Sequence, residues 1–327
     1  MSWSWHRRPC LVTGGSGFGG SHLSAALARE GAEVYVLDRV FPRNSYLTLE
    51  GIEKRVSLIC GDVRDLELLR LTIERYQIDT IFHLAAQPLV PMSIALPMET
   101  FSTNVMGTCS VLEAMRTTNS CRAMVLASSG AYYGTTVTDV PISEDDAVRI
   151  SANLYSPSKT AADIAVRTYA NVYGLSTATC RFMNTYGAGD TNFSRIVPRA
   201  IRNILIGAAY DFGDRDDGTT SLDFLHIDDM TNAYLRVAER IDAVHGEAFN
   251  FGTGRPVSTW EIARLISQLF GGGEREPIFH GAARARRVVK YLDTGKAERL
   301  LGWRATIELE QGLTETIEWY RRFMSAL

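Results

Sequence analysis

Short apolar runs alternate along this chain with longer stretches in which apolar residues recur every three or four positions. The runs at 10–13, 33–38, 56–60, 80–84 and 123–127 are predominantly apolar and rich in Val, Leu and Ile, and 176–181, with Thr, Ala and Cys, is read with them as a strand. They predict strands buried on both faces rather than strands with one wet side. Between them, 18–30, 65–76, 97–117 and 153–173 carry helical spacing, and each is long enough to cross from one parallel strand to the next. The alternation predicts an α/β fold, a doubly wound parallel sheet with helices on both faces.

The regularity breaks after Arg181. From 186 to about 223 the chain is rich in Gly, Asp, Asn and Thr, with one helical stretch near 195–206. A helix at 228–240 and a strand at 248–251 then look sheet-like again. The tail holds a helix after Ser258, a basic stretch at 284–290 and two helices ending at Ala326. A smaller C-terminal unit therefore interleaves with the first. The expected division is 1–186 with about 228–254, against about 187–227 with 255–327.

Charge narrows the class of partner. The 34 Lys and Arg against 37 Asp and Glu leave a formal charge of −3, which argues against a nucleic-acid backbone as the main ligand. No apolar run approaches a membrane span, and no apolar leader follows the first methionine. The five cysteines are scattered without a C-x-x-C pair, so they read as small hydrophobes of a reducing compartment, with Cys10, Cys60 and Cys180 in buried strands. The histidines show no metal-ligand spacing, so no metal site is expected. The expectation is a cytoplasmic protein without a membrane segment.

The first predicted strand runs into Gly14-Gly15-Ser16-Gly17-Phe18-Gly19-Gly20 and then a helix. Glycines at 14, 17 and 20 permit a tight turn, close approach of backbone to a pyrophosphate, and close packing of helix on strand, while the helix N-terminus faces the anion. Asp38 closes the next strand 18 residues beyond Gly20. A carboxylate there accepts from ribose hydroxyls and repels a 2′-phosphate, which favours NAD over NADP, with Arg39 beside it leaving NADP open. Gly61-Asp62-Val63 follows the third strand and suits an adenine edge.

Tyr155-Ser156-Pro157-Ser158-Lys159 opens the helix at 153–173. The i, i+4 spacing puts phenol and ammonium on one face, and a nearby ammonium lowers the phenol's proton affinity. Such a tyrosine can take a proton from a sugar hydroxyl as hydride leaves the same carbon. Ser128-Ser129 follows the fifth strand, at the carboxyl edge where doubly wound sheets bind ligands, and Ser129 can orient that hydroxyl.

With these motifs in this order, the chain resembles the extended short-chain dehydrogenases/reductases that modify nucleotide sugars. Further matches are Phe82-His83-Leu84-Ala85-Ala86-Gln87, Asn104-Val105-Met106-Gly107-Thr108, Arg181-Phe182-Met183-Asn184-Thr185-Tyr186-Gly187 and Leu301-Gly302-Trp303. Gln87 to Val90, Asn104 to Thr108 and Asn192 to Ile196 look most like CDP-glucose 4,6-dehydratases. The resemblance implies a Rossmann domain holding NAD and a smaller domain holding a nucleotide-diphosphate sugar. It implies Gly14, Gly17, Phe18 and Gly20 at the pyrophosphate, Asp38 and Arg39 at the ribose, and Asp62 and Val63 at the adenine. Leu84, Ala85, Ala86, Asn104, Ala127 and Phe182 would also meet the cofactor, beside Tyr155 and Lys159. Ser129, Tyr155 and Lys159 would be catalytic, and Gln87, Ser129, Asn184, Arg195, Arg284 and Arg286 would meet the substrate. It further implies a homodimer packed through the helices at 97–117 and 153–173.

Three departures matter. In the dehydratases the catalytic Ser or Thr is followed by acidic or basic residues that eliminate water; here Gly130-Ala131 follows Ser129. What remains suffices for reversible oxidation at C4, hence 4-epimerisation. A 4,6-dehydratase with relocated acid and base, a hexuronic acid decarboxylase and a non-catalytic NAD-binding scaffold stay open. Leu222 stands where relatives place an arginine for the nucleotide phosphates, which leaves the basic stretch 284–290 to meet that charge. Gly19 replaces an aliphatic residue of the loop, which is expected to loosen packing there.

Overall fold

The computed structural model describes residues 3–134, 140–214, 216–271, 275–283 and 288–327. Eleven strands are present among them: β1 (Pro9–Thr13), β2 (Glu33–Asp38), β3 (Ser57–Cys60), β4 (Thr80–His83), β5 (Ala123–Ala127), β6 (Thr177–Phe182), β7 (Asn184–Tyr186), β8 (Ser221–His226), β9 (Ala248–Phe251), β10 (Pro256–Ser258) and β11 (Val289–Lys290). Seven form one sheet in the order β3-β2-β1-β4-β5-β6-β9, and every neighbouring pair is parallel. The order reverses between β1 and β4, so the helices cross to opposite faces there and leave a crevice at the carboxyl ends of the strands.

Alternation along each strand divides the core in two. Cys10, Val12, Val36, Phe82 and Val125 pack on one face under the helices Phe18–Arg29 and Ile227–Glu239. Leu11, Leu37, Ile81, Met124 and Leu126 pack on the other, under Leu66–Tyr76, Gly107–Thr117 and Tyr155–Tyr173. Ala297, Leu301 and Trp303 of the C-terminal tail also join the first core. The reading of 56–60 as a buried strand is corrected here: β3 is the sheet's edge, and Ser57, Leu58 and Cys60 are exposed. An apolar run cannot by itself distinguish an edge strand from a central one.

β7 leaves the large sheet immediately after β6 and joins a small second sheet through β8, which is flanked by β10 and β11. Three of these strands have only two or three residues, too few to show a period. β8 reads as polar because Asp223 lies inside it, yet that carboxylate is buried and accepts hydrogen bonds from Thr253 N (2.8 Å), Thr253 Oγ1 (2.6 Å) and Gly254 N (3.0 Å). It thereby caps the turn between β9 and β10. Among the described residues no helix is long and apolar enough to cross a membrane.

Candidate active site

The crevice at the β1–β4 switch is the candidate site. Gly14 turns with φ of +69°, and a Cβ there would come within 2.6 Å of Ala85 N, so the end of β1 can lie against the end of β4 only without a side chain. At Gly20 a Cβ would meet Gly14 O at 2.3 Å. The helix that follows starts at Phe18 with no side chain capping it, so its first N–H groups point into the crevice unpaired by side chains, as an anion requires. Gly19 leaves no loose spot: the Met230 methyl occupies that space, 2.8 Å from where a Cβ would stand.

Asp38 lines the crevice beyond the loop. Its Oδ2 accepts from Ser16 N (3.1 Å) and Ser16 Oγ (2.6 Å), and its Oδ1 from Arg39 N (2.8 Å). Arg39 is exposed and pairs with Glu99 at 3.1 Å. Asp62 is gripped by Arg64 at 2.6 Å, which holds its carboxyl below the usual range, and Arg64 also pairs with Glu99 at 2.9 Å. Sequence reasoning missed Arg64 and Glu99, which tie the β2 and β3 ends to the helix Pro97–Phe101. The loop glycines, the uncapped helix and this acidic rim fit a dinucleotide whose adenosine lies over β2 and β3.

At the other end, Tyr155 and Lys159 stand in the first two turns of Tyr155–Tyr173, and Ala127 and Ser128 at the end of β5 line the same crevice. Lys159 is buried and donates to Ala127 O at 2.7 Å; burial pulls its pKa down to about 8, opposed by the Asp163 carboxylate. Burial raises the Tyr155 phenol, while Ser129 hydrogen bonding and the Arg195 charge lower it. Lys159 lies one turn along the same helix from Tyr155, with its ammonium held by that carbonyl.

Behind these residues lies a buried network that the sequence reading did not anticipate. Ser128 Oγ donates to Asp163 at 2.6 Å, Asp163 is held by Arg181, and Arg181 Nη1 donates to Tyr133 Oη at 2.9 Å. Tyr133 in turn donates to Asn250 at 2.7 Å, so the helix Tyr155–Tyr173 is tied to β5, β6 and β9. Asp163 follows Lys159 by four residues, a signal that was available.

The other expected residues fall into three groups. Val63, Leu84, Ala85, Ala86 and Arg195 line the crevice. Asn104, Gln87 and Phe182 do not. Asn104 sits in a π-helical turn, Ser102–Met106, interrupting the helix expected at 97–117; it accepts from Gln87 N (2.7 Å) and donates to Ser158 Oγ (2.9 Å), bracing the loop after β4. The Gln87 side chain is spent on Thr100 and Leu89, and Phe182 stacks on Phe251 at 5.2 Å in the core. Asn184 is half-buried at the start of β7, next to Thr185, which lines the crevice. Arg284 and Arg286 lie outside the described residues.

A family model described as GDP-mannose 4,6 dehydratase matches residues 11–316. The chain belongs to that family, the nucleotide-sugar epimerases and dehydratases of the extended short-chain dehydrogenase/reductase class. Among its relatives, UDP-glucuronate 4-epimerase 4 of Arabidopsis thaliana is 30% identical over 96% of this chain and 76% of that enzyme. A UDP-glucose 4-epimerase of Mycolicibacterium smegmatis is 31% identical over 95% of this chain and 98% of that enzyme. The solved structure of MoeE5 in complex with UDP-glucose and NAD superposes with a TM-score of 0.83 at 31% identity, covering 97% of this chain and 99% of that one. The family thus contains both isomerases and lyases that work on nucleotide sugars.

Proposed function

We propose that the chain is an NAD-dependent epimerase that inverts C4 of a nucleotide-diphosphate sugar. The observation that carries this reading lies directly behind Ser129. Gly130 offers no side chain, the Met183 methyl fills the space 2.9 Å from where its Cβ would be, and Ala131 follows. No group there can move a proton to or from C5 or C6, whereas Tyr155 and Ser129 can serve the C4 hydroxyl. Among the described residues lining the crevice, the carboxylates are Asp38 and Asp62, both on the β2–β3 side and away from Tyr155.

When bound, NAD supplies the hydride acceptor and donor for C4. Gly14, Gly17, Phe18 and Gly20 would hold its pyrophosphate and Asp38 its ribose. Tyr155 takes the C4 hydroxyl proton as the carbonyl forms and returns it after the sugar presents its other face. Ser129 orients that oxygen. Residues 1–186 with about 228–254 would hold the cofactor, and about 187–227 with 255–327 the sugar nucleotide.

For the diphosphate, Lys290 stands in for the arginine absent at 222. It lies in register with Leu222 on the neighbouring strand, half-buried, and no carboxylate pairs with it among the described residues. In a parallel ladder, paired positions point to the same face. Met98, Met106, Ile164, Val172 and Tyr173 expose apolar surface on the helices at 97–117 and 155–173, which supports a homodimer through those helices. The five unpaired thiols suit the cytoplasm.

Purified protein incubated with UDP-glucose, UDP-glucuronate and their CDP, GDP and dTDP counterparts tests the reading. Epimerisation gives a product of unchanged mass with a new C4 proton coupling. A product lacking water or carbon dioxide contradicts it.

A further inference from the structure

The end of the crevice over β2 and β3 carries a closed ring of charges. Arg39 and Asp62 line the crevice there, beside Asp38. Arg39 Nη1 donates to Glu99 Oε1 at 3.1 Å and stands 4.0 Å from Asp62 Oδ2. Arg64 donates to the other Glu99 oxygen at 2.9 Å and to the two Asp62 oxygens at 2.9 and 2.6 Å. Thr103, also on the crevice, donates to Glu99 Oε1 at 3.3 Å. Glu99 belongs to the helix Pro97–Phe101, an element separate from β2 and its Asp38. A lone exposed ion pair contributes little, but four groups that share partners fix one another's geometry.

An arginine beside the ribose is what accommodates a 2′-phosphate in folds of this kind. An unoccupied Arg39 would therefore work against Asp38, whose carboxylate is suited to ribose hydroxyls. We propose that Glu99 is a specificity-determining residue: it occupies the Arg39 guanidinium and so keeps the site selective for NAD over NADP. This rests on the adenosine lying over β2 and β3, as in the reading above. Asp38, Asp62 and Glu99 set three carboxylates against the two guanidinium groups of Arg39 and Arg64. A 2′-phosphate meets that excess of negative charge and finds the arginine already engaged. With Glu99 neutral the charges balance, and Arg39 keeps only its longer contact with Asp62, leaving donors for the phosphate.

The test reads binding, so it needs no nucleotide sugar. NAD and NADP affinities are measured by titration calorimetry on the full-length protein as wild type, E99Q, R39A and R39A/E99Q. Glu99→Gln should tighten NADP by roughly 10-fold or more, the worth of a hydrogen bond to a charged group. NAD affinity should stay within a few-fold, which also reports that the variant folds. Arg39→Ala alone should leave NADP nearly where it was, because its guanidinium is already taken. In the R39A background, Glu99→Gln should lose most of its effect. Full tightening there would mean that Glu99 repels the phosphate by charge alone, and it overturns the inference. So does an E99Q protein that binds NAD with an unmoved NADP affinity, or an R39A protein whose NADP affinity falls 10-fold. If wild type binds neither dinucleotide, this inference falls together with the proposed function. NAD binding without turnover of any nucleotide sugar contradicts the proposed function alone, and the NADP comparison still decides this point.

Discussion

Arg181 and Asp163 form a two-pronged ion pair, 2.9 Å from Nε and 2.8 Å from Nη2, with neither side chain exposed. Arg181 also lies over the Tyr132 ring, with its guanidinium carbon 3.5 Å from the ring centre. Taking one partner away leaves a buried charge without compensation. Asp163→Asn should cost about 3–5 kcal/mol in urea unfolding, while the paired replacement Asp163→Leu with Arg181→Met should cost distinctly less. Equal losses would mean the pair itself, rather than the stranded charge, carries the stability.

The imidazole of His83 is fully enclosed between Thr13 Oγ1 (2.7 Å) and Thr108 Oγ1 (3.0 Å). Burial, aided by the Lys159 charge, holds its pKa down to about 3 against an ordinary 6.5. The unfolded chain therefore binds a proton that the folded chain refuses anywhere between those values. Stability is fully present above pH 6.5 and is lost as pH falls through that window, at about 1.4 kcal/mol per pH unit. Urea midpoints measured across the range should fall more steeply for wild type than for His83→Gln. Parallel slopes would contradict the assignment.

Lys290, beside Leu222, should be read in binding rather than in chemistry. Lys290→Ala should raise KM for the nucleotide sugar by roughly 10- to 100-fold, the worth of a hydrogen bond to a charged group, and leave kcat nearly unchanged. Lys290→Arg should restore it. A loss confined to kcat would place Lys290 elsewhere in the reaction.

Much of this was legible beforehand. The large sheet follows from apolar runs that alternate with helical ones, and the Gly14 to Gly20 loop, Asp38, Ser129, Tyr155 and Lys159 announce themselves by order and spacing. What stayed hidden depends on tertiary neighbours. β3 has the composition of a central strand but sits at an edge. β8 hides behind a buried aspartate whose partners, Thr253 and Gly254, come from a distant turn. Arg181 looks like a polar interruption of β6 until Asp163 is seen across from it. The Gly19 position looked underpacked because Met230, which fills it, is more than 200 residues away.

Tyr155→Phe removes the proposed base and keeps the ring. Turnover should drop by about 10²–10⁴-fold, the usual worth of a placed proton-transfer group, while NAD affinity, measured by fluorescence quenching, stays within a few-fold. An equal loss in binding and turnover would make Tyr155 a cofactor contact rather than the base.

The central claim is that C4 is oxidised and then reduced with nothing lost from the sugar. Its most direct test is proton NMR and mass spectrometry of the product formed from UDP-glucose or UDP-glucuronate deuterated at C4. The account predicts unchanged mass, inverted configuration at C4, and deuterium still on that carbon. A product that has lost water or carbon dioxide, or one inverted at C4 but carrying solvent hydrogen there, would contradict it.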